Sequence, residues 1–596
     1  MRFQSVREWL KGIDRIGVQA ASIALGMALA ARLALGYRPF PSIDDFVYIP
    51  LSWAHLDPAA YPSDYFVQQF VFHVPLLPMI VALSESTVGL ATGVLIATVL
   101  LSVATIAAMM RLLRAIGATG ALLPVAVVIA LCGHTIGLGR GQYDGAFGNA
   151  LHMQWLALCT LLWAYDGFVR GRPLLAGGLL GLAALAHPVV GAHGAFVLVL
   201  AAVAMPQWRW RPLFLSGAAC GLVSAPATIP LAWNLIDRAS VSGFDVVRLG
   251  YLFRTPHEFE LTILSIAVFL LLAAFGWAST ILLLARRDGV SRRAFGGLMI
   301  GQSLIAALAI VFHGPWAVGD AIEEVSAVFQ LHLSRTTPLL MVLSAIAVAA
   351  SIEDAVARAG GRPTGSAKAM AVTYWICAGL GLVFVLLQVQ WHPVLWAALV
   401  LSLAALVPWS APAWRRSVTA LWLLLALGSG WSFATEVQVS AALYDDDRDL
   451  YSWIERTTPD SAIFIIPPGS EEFRFYAGRG AYVDFKTFPA TTPSLIPEWR
   501  RRLEQISAPD RLALEGTGWA GIEEWDRTYA NRNTPARIAD LLEAAGADYF
   551  LWDSRGLAAA PYVAVDRVGD PRVEVAFRNP RYTVYRLPQA EAAHAD

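Results

Sequence analysis

The chain has 596 residues, 57% of them hydrophobic and 15% charged, with a formal net charge of -1. Soluble globular chains carry about 25% charged residues, so most of this one is built to face lipid, and its near-neutral balance offers no basic field to nucleic acid. The cysteines, Cys132, Cys159, Cys220 and Cys377, all fall in apolar stretches, which leaves neither a disulfide framework nor a thiolate zinc site.

The N-terminus sets Arg2, Arg7, Lys11 and Arg15 before an apolar run over 16–36. Ala28-Leu29-Ala30 mimics a signal-peptidase site, but the run continues past it at membrane length and reads as an uncleaved first span. Windows of about 17 to 25 mostly apolar residues give about 13 spans in all. After the first they fall near 89–110, 118–133, 149–164, 174–187, 189–205, 212–232, 261–285, 295–313, 338–352, 370–388, 393–410 and 418–433. With the N-terminus inside, the inner segments collect Arg111, Arg114, Arg170, Arg172, Arg209, Arg211, Arg286, Arg287, Arg292, Arg293, Arg358, Arg362, Lys368, Arg415 and Arg416. The outer loops hold only Arg38, Arg140, Arg238, Arg248, Arg254 and Arg335, a bias that matches the positive-inside rule.

Two stretches test this register. The apolar segment 71–83 is too short to span at about 13 residues, and counting it would throw Arg111 and Arg114 outside, so it reads as an interfacial helix. The segment 174–205 is long for one span and short for two, and basic residues at both ends imply a there-and-back path broken near His187-Pro188. Beyond residue 436 the character changes. Helices are expected over 449–457, 496–505 and 535–545, and strands over 462–466, 481–485, 548–552, 562–565, 572–577 and 582–586, which together make an α/β domain. The expected architecture is a polytopic α-helical membrane protein over 1–436, with a large outer loop over 37–88 and a soluble extracytoplasmic α/β domain over 437–596.

Asp44 and Asp45 stand in that first outer loop. Two carboxylates beside the apolar part of a membrane protein are costly to desolvate unless solvated or functional. Such a pair can bind a divalent cation, or one member can act as a general base; a solvated turn after Pro41-Ser42 is the alternative. Asp144, beside Arg140 in the glycine-rich loop 133–149, can be brought toward the first loop or can simply be an Asp-Gly turn. His134 and His152 could serve as ligands, although hydrogen-bonded histidines without a metal are more frequent. His73, with Pro75, opens the interfacial helix, where an imidazole can meet a lipid phosphate or only the water interface. Arg335, at the outer entrance to a span, suits a phosphate bidentately or snorkels there. His187 and His193 read as packed residues at a kink, Asp445 to Asp447 as solvated charge at a helix start. Lys486 reads as the decoration of a strand end, with a Schiff-base role implausible.

An inside N-terminus, one span, an outer loop with an acidic pair, an interfacial helix opened by FHVP (Phe72 to Pro75) and a second span ending in inside arginines resemble the GT-C superfamily of polyprenyl-phosphate-dependent membrane glycosyltransferases. LAHP (Leu185 to Pro188) and the C-terminal phrases LYSWIERTTPDSAIFIIPP and FRFYAGRGAYVDFK resemble uncharacterised bacterial members. The WWD-type signature of oligosaccharyltransferases is absent from the sequence. The resemblance implies a catalytic Asp44 or Asp45, a substrate site with His73, Arg140, Asp144 and Arg335, and a divalent metal (Mg or Mn) held by Asp45 and Asp144. It further implies a polyprenyl-phosphate-linked sugar as partner within the lipid bilayer, and a multi-pass protein of the bacterial inner membrane with a periplasmic C-terminal domain. The rival reading is a non-catalytic lipid-linked glycan transporter or envelope assembly factor on the same scaffold. Against it stand the scarcity of mid-span charges and the lack of an internal repeat.

Overall fold

The computed structural model describes residues 40–41, 44–70, 75–118, 151–203, 205, 210–236, 263–286, 289–313, 332–358, 444–489, 492–507, 521–554 and 570–588. The expected spans near 16–36, 118–133, 370–388, 393–410 and 418–433, and the strand near 562–565, lie outside them. The first outer loop contributes α1 (Asp45–Leu56), α2 (Tyr65–Gln69) and α3 (Leu76–Thr87). The apolar helices that follow are α4 (Leu90–Ala115), α5 (Met153–Val169), α6 (Pro173–Ala186), α7 (Pro188–Val203), α8 (Trp210–Ile236), α9 (Ile263–Arg286), α10 (Val290–His313) and α11 (Thr337–Arg358). Among the described residues, four helical stretches are long and apolar enough to cross a membrane: Leu90–Ala115, Trp210–Trp233, Val290–Phe312 and Leu333–Asp354. The expected interfacial helix is shifted along the chain to Leu76–Thr87, with Pro75 at its start, where a missing N–H costs nothing.

The stretch 174–205 divides where expected. His187 is extended (φ -157°, ψ 100°) and Pro188 begins α7, since proline cannot continue the preceding ladder. Gly191 lies against Ala184 and Gly194 against Leu180, so α6 and α7 fold back as a hairpin with His187 at its tip. On the other side of α6, a Cβ on Gly177 would fall 2.0 Å from the Ser216 carbonyl oxygen, and one on Gly181 2.7 Å from that of Cys220. This small-residue stripe lets α6 and α8 approach backbone to backbone.

The far end of α5 is tied by charge. Asp166, fully buried, accepts from Arg111 at 2.8 Å and from Arg170 at 2.7 Å, which staples the ends of α4 and α5. Arg292 joins that end by donating to the carbonyl oxygens of Ile116 and Leu283, 2.9 Å each. Residue 152 and residue 169 mark opposite ends of α5, about 26 Å apart at 1.5 Å per residue. The basic cluster therefore occupies one end of the helical region and the first outer loop the other.

The C-terminal domain runs α12 (Asp445–Thr457), β1 (Ile463–Ile465), α13 (Phe473–Ala477), β2 (Gly480–Ala481), α14 (Ile496–Ser507), α15 (Ile522–Arg532), α16 (Pro535–Ala545), β3 (Tyr549–Asp553), β4 (Glu574–Arg578) and β5 (Tyr582–Arg586). Its sheet has the order β2-β1-β3-β5-β4, parallel from β2 to β3 and antiparallel from β3 onward. Period-2 alternation sends Ile463, Ile465 and Phe550 to the face under α14 to α16, and Phe464, Ile466 and Leu551 to the face under α12 and α13. The expected strand over 481–485 stops at Ala481. Asp484 ends it by accepting the Thr487 N–H at 2.7 Å, an Asx turn that competes with the sheet ladder.

The first outer loop is plugged into this domain. Phe66 is fully buried in the core beneath α14 to α16. Asp64 caps α2 by accepting from the Phe66 and Val67 N–H groups at 3.1 Å each. Its second oxygen takes the Arg474 Nε–H at 2.7 Å and the Ala481 N–H at 2.8 Å. Arg502 lies over the rings of Tyr65 and Tyr482, 4.5 Å from each, and Phe475 stacks on Trp53 with centroids 5.5 Å apart.

Candidate functional site

Asp44 stands at the N-cap of α1, yet its side chain makes no capping bond. Its carboxylate is directed to other partners. Oδ2 lies 3.2 Å from Nδ1 of His152, the residue that opens α5, and Oδ1 lies 3.0 Å from Nζ of Lys486 in the C-terminal domain. Lys486 also reaches Glu471 Oε2 at 3.4 Å. The lysine side chain is 5% exposed while that of Asp44 is 41% exposed, so the carboxylate is the member of the cluster presented to solvent. Burial opposes ionisation of Asp44, but the Lys486 ammonium and the His152 hydrogen bond outweigh it and hold the carboxyl well below its ordinary range. Glu471 goes the other way: burial lifts it to about 7 against the pull of Lys486, with Glu472 and Asp44 adding like charge.

Two residues into α5 a second cluster begins. Gln154 accepts from Arg335 Nη1 at 3.0 Å, and the same nitrogen lies 3.0 Å from His187 Nε2 at the tip of the α6–α7 hairpin. Arginine can only donate, so Nε2 is the acceptor. Arg335 sits in a 3-10 turn, Leu333–Thr336, at the entrance to α11, and Thr336 Oγ1 beside it lies 3.2 Å from His193 Nδ1. Both clusters meet at the first turn of α5: an exposed carboxylate on one side and a guanidinium held by neutral groups on the other.

Of the residues singled out in the sequence, the structure brings together Asp44 and Arg335 through this turn. Asp45 does not share the position of its neighbour, being 8% exposed within α1. His73, Arg140 and Asp144 lie outside the described residues, and so does half of the expected cation pair. Among the described residues no three His, Cys, Asp or Glu side chains group as metal ligands, so those residues do not fit a cation site by themselves. Lys486 does not decorate a strand end; it is buried and ion-paired to Asp44. It could have been noticed as one of only three lysines, with Lys11 and Lys368, among 44 basic residues. Glu471 had no signal beyond its acidic neighbour, and His187 and Gln154 gave none that separates a site from packing.

A family model, "Domain of unknown function (DUF6798)", matches residues 445–506. A comparison with curated proteins gives no match. Among solved structures, ArnT from Cupriavidus metallidurans bound to undecaprenyl phosphate is 14% identical, with 96% of this chain and 98% of that chain covered and a TM-score of 0.51. ArnT in the apo state is 13% identical, with 98% of each chain covered and a TM-score of 0.50. The chain has a GT-C fold. An Archaeoglobus fulgidus oligosaccharyltransferase in its apo form is 12% identical, with 90% of this chain and 70% of that one covered and a TM-score of 0.47. Within the GT-C fold of this chain, the DUF6798 match takes in α12 to α14, the part of the C-terminal domain that bears Glu471, Arg474, Asp484 and Lys486.

Proposed function

We propose that this protein is a membrane glycosyltransferase that moves a sugar from a polyprenyl-phosphate donor to a hydroxyl-bearing lipid, glycan or protein acceptor. The observation that carries the reading is the exposed Asp44 carboxylate, left out of helix capping and facing the same helix turn as Arg335, on a GT-C fold that extends over nearly the whole chain. A donor of the kind bound by the ArnT neighbour, undecaprenyl phosphate, bears its charge where a guanidinium is useful. Asp44 accepts the proton of the acceptor hydroxyl as its oxygen attacks the anomeric carbon. The bond from that carbon to the phosphate oxygen breaks, and Arg335 offsets the charge left on the departing phosphate. The residues described do not assemble a cation site, so the reaction is written with side chains alone.

The charge bias of the loops supports the finer topology: about 13 spans, with the basic ends of α4 and α5 cytoplasmic and Asp44, Arg335 and the C-terminal domain on the outer face of a bacterial inner membrane. The test is transfer by purified protein in liposomes supplied with undecaprenyl-phosphate-linked sugars. Mass spectrometry would follow released undecaprenyl phosphate and labelled acceptor. Wild type is expected to release the carrier, and Asp44→Asn, folded, to lose about 10²-fold or more. Lipid bound or moved with no covalent product would turn the reading to the transporter or assembly factor.

A further inference from the structure

The residue nearest Asp44 that the reaction as written leaves unused is a buried lysine from the other domain. Lys486 sits on a turn locked from several sides. Thr487 donates its N–H to Asp484, Arg474 Nη1 donates to Thr487 Oγ1 at 3.0 Å and contacts Asp484, and Trp499 Nε1 donates to the Asp484 carbonyl at 2.9 Å. Phe485 N–H is held by the Pro468 carbonyl at 2.9 Å. Arg474 also grips Asp64 on the first outer loop, so the root of Lys486 is bolted to the same loop that carries Asp44. Glu471, 3.4 Å away, holds the ammonium from the opposite side.

We propose that the C-terminal domain completes the site, with Lys486 as a positioning residue that keeps the Asp44 carboxylate ionised and aimed, and that the segment matching DUF6798 is the module that delivers it. The inference rests on Asp44 being the reacting carboxylate, and it explains why a polar domain is docked on a loop so firmly. Burial alone would drive Asp44 toward its protonated form, which cannot accept a proton. His152 and Lys486 are the groups facing it that oppose this, and Lys486 is the one whose charge is fixed at neutral pH. Glu471 in turn faces Lys486, with Glu472 and Asp44 contributing like charge.

The experiment labels full-length protein in liposomes with dicyclohexylcarbodiimide, which reacts with protonated, sheltered carboxyls, and reads Asp44 and Glu471 separately by mass spectrometry of their peptides between pH 5 and 8. In wild type, Glu471 is expected to label increasingly as pH falls through about 7 and Asp44 to resist. Lys486→Met is expected to raise labelling of Asp44 at pH 6 at least tenfold, and Lys486→Arg to restore resistance within threefold. A role in packing alone would lower the folded fraction without opening Asp44 to the reagent. Equal labelling of Asp44 in wild type and Lys486→Met overturns the proposal, as does Asp44 labelling freely in wild type. Should Lys486→Met fail to fold, Lys486→Gln serves with the same expected outcomes. The readout needs no sugar transfer, so a wild type that protects Asp44 through Lys486 but transfers nothing would sink the glycosyltransferase reading while leaving the clamp standing.

Discussion

Arg474 joins the two domains through two buried carboxylates, and its removal tests whether the docking is held by charge. Its side chain is 4% exposed, and those of Asp64 and Asp484 are almost fully enclosed. Taking away one partner of a buried pair costs about 3–5 kcal/mol, because the remaining charge has lost its counter-ion. Asp64 would still accept N–H groups from Phe66, Val67 and Ala481, which places Arg474→Met near the lower end, about 3 kcal/mol. At about 1.4 kcal/mol per decade, separation of the C-terminal domain from the first loop becomes roughly 10²-fold more frequent. Hydrogen exchange of the Phe66 and Ala481 amides in full-length protein reports that opening. Arg474→Met is expected to speed both by about that factor, and Arg474→Met with Asp64→Asn to cost less than the two single changes added. Exchange within threefold of wild type, or simple additivity, would refute the reasoning.

Stability should respond to pH through Glu471. Because its folded-state value is raised to about 7, the native state keeps a proton that the unfolded chain has lost between about pH 4.5 and 7, so stability falls as pH rises through that window. Glu471→Gln is expected to flatten the decline in the unfolding midpoint. Asp44 is shifted downward, so its contribution is present above the ordinary carboxylate range and lost only in more acid solution, outside this window. Gly177→Leu should prevent α6 from closing on α8, where a Cβ already meets the Ser216 oxygen, whereas Gly178→Leu, with nothing within 4 Å, should be tolerated; yield of monodisperse protein and its unfolding midpoint separate the two. Arg335→Gln is expected to weaken binding of undecaprenyl phosphate at least tenfold, measured by native mass spectrometry, while Arg172→Gln at the opposite end should leave it unchanged.

The helices were legible in the sequence because lipid-facing segments need long apolar windows and arginine placement fixes their parity. The break at His187-Pro188 was legible too, since proline cannot hide in a helix. In the C-terminal domain, α16 and β5 fall on their expected bounds, Pro535–Ala545 and Tyr582–Arg586, while α13 and α15 had no separate expectation. The former is a single turn of FRFYA whose aromatic residues face the first loop rather than a core of their own. Asp44 and Arg335 were visible as polar residues in costly places. Their partners were not: the contacts of Asp44 with Lys486 and of Arg335 with His187 and Gln154 join segments far apart in the chain, and no local pattern encodes such pairings. The short strand β2 shows the same limit, because the Asp484 turn that ends it is set by Arg474 and Trp499 as much as by local preference.

The central claim is that Asp44 is the base of a lipid-linked sugar transfer. Its most direct test is the release of undecaprenyl phosphate from undecaprenyl-phosphate-linked sugars by purified wild type and by Asp44→Asn, both shown to be folded. The account predicts release with wild type and a loss of about 10²-fold or more with the variant; release at the wild-type rate by Asp44→Asn would contradict it.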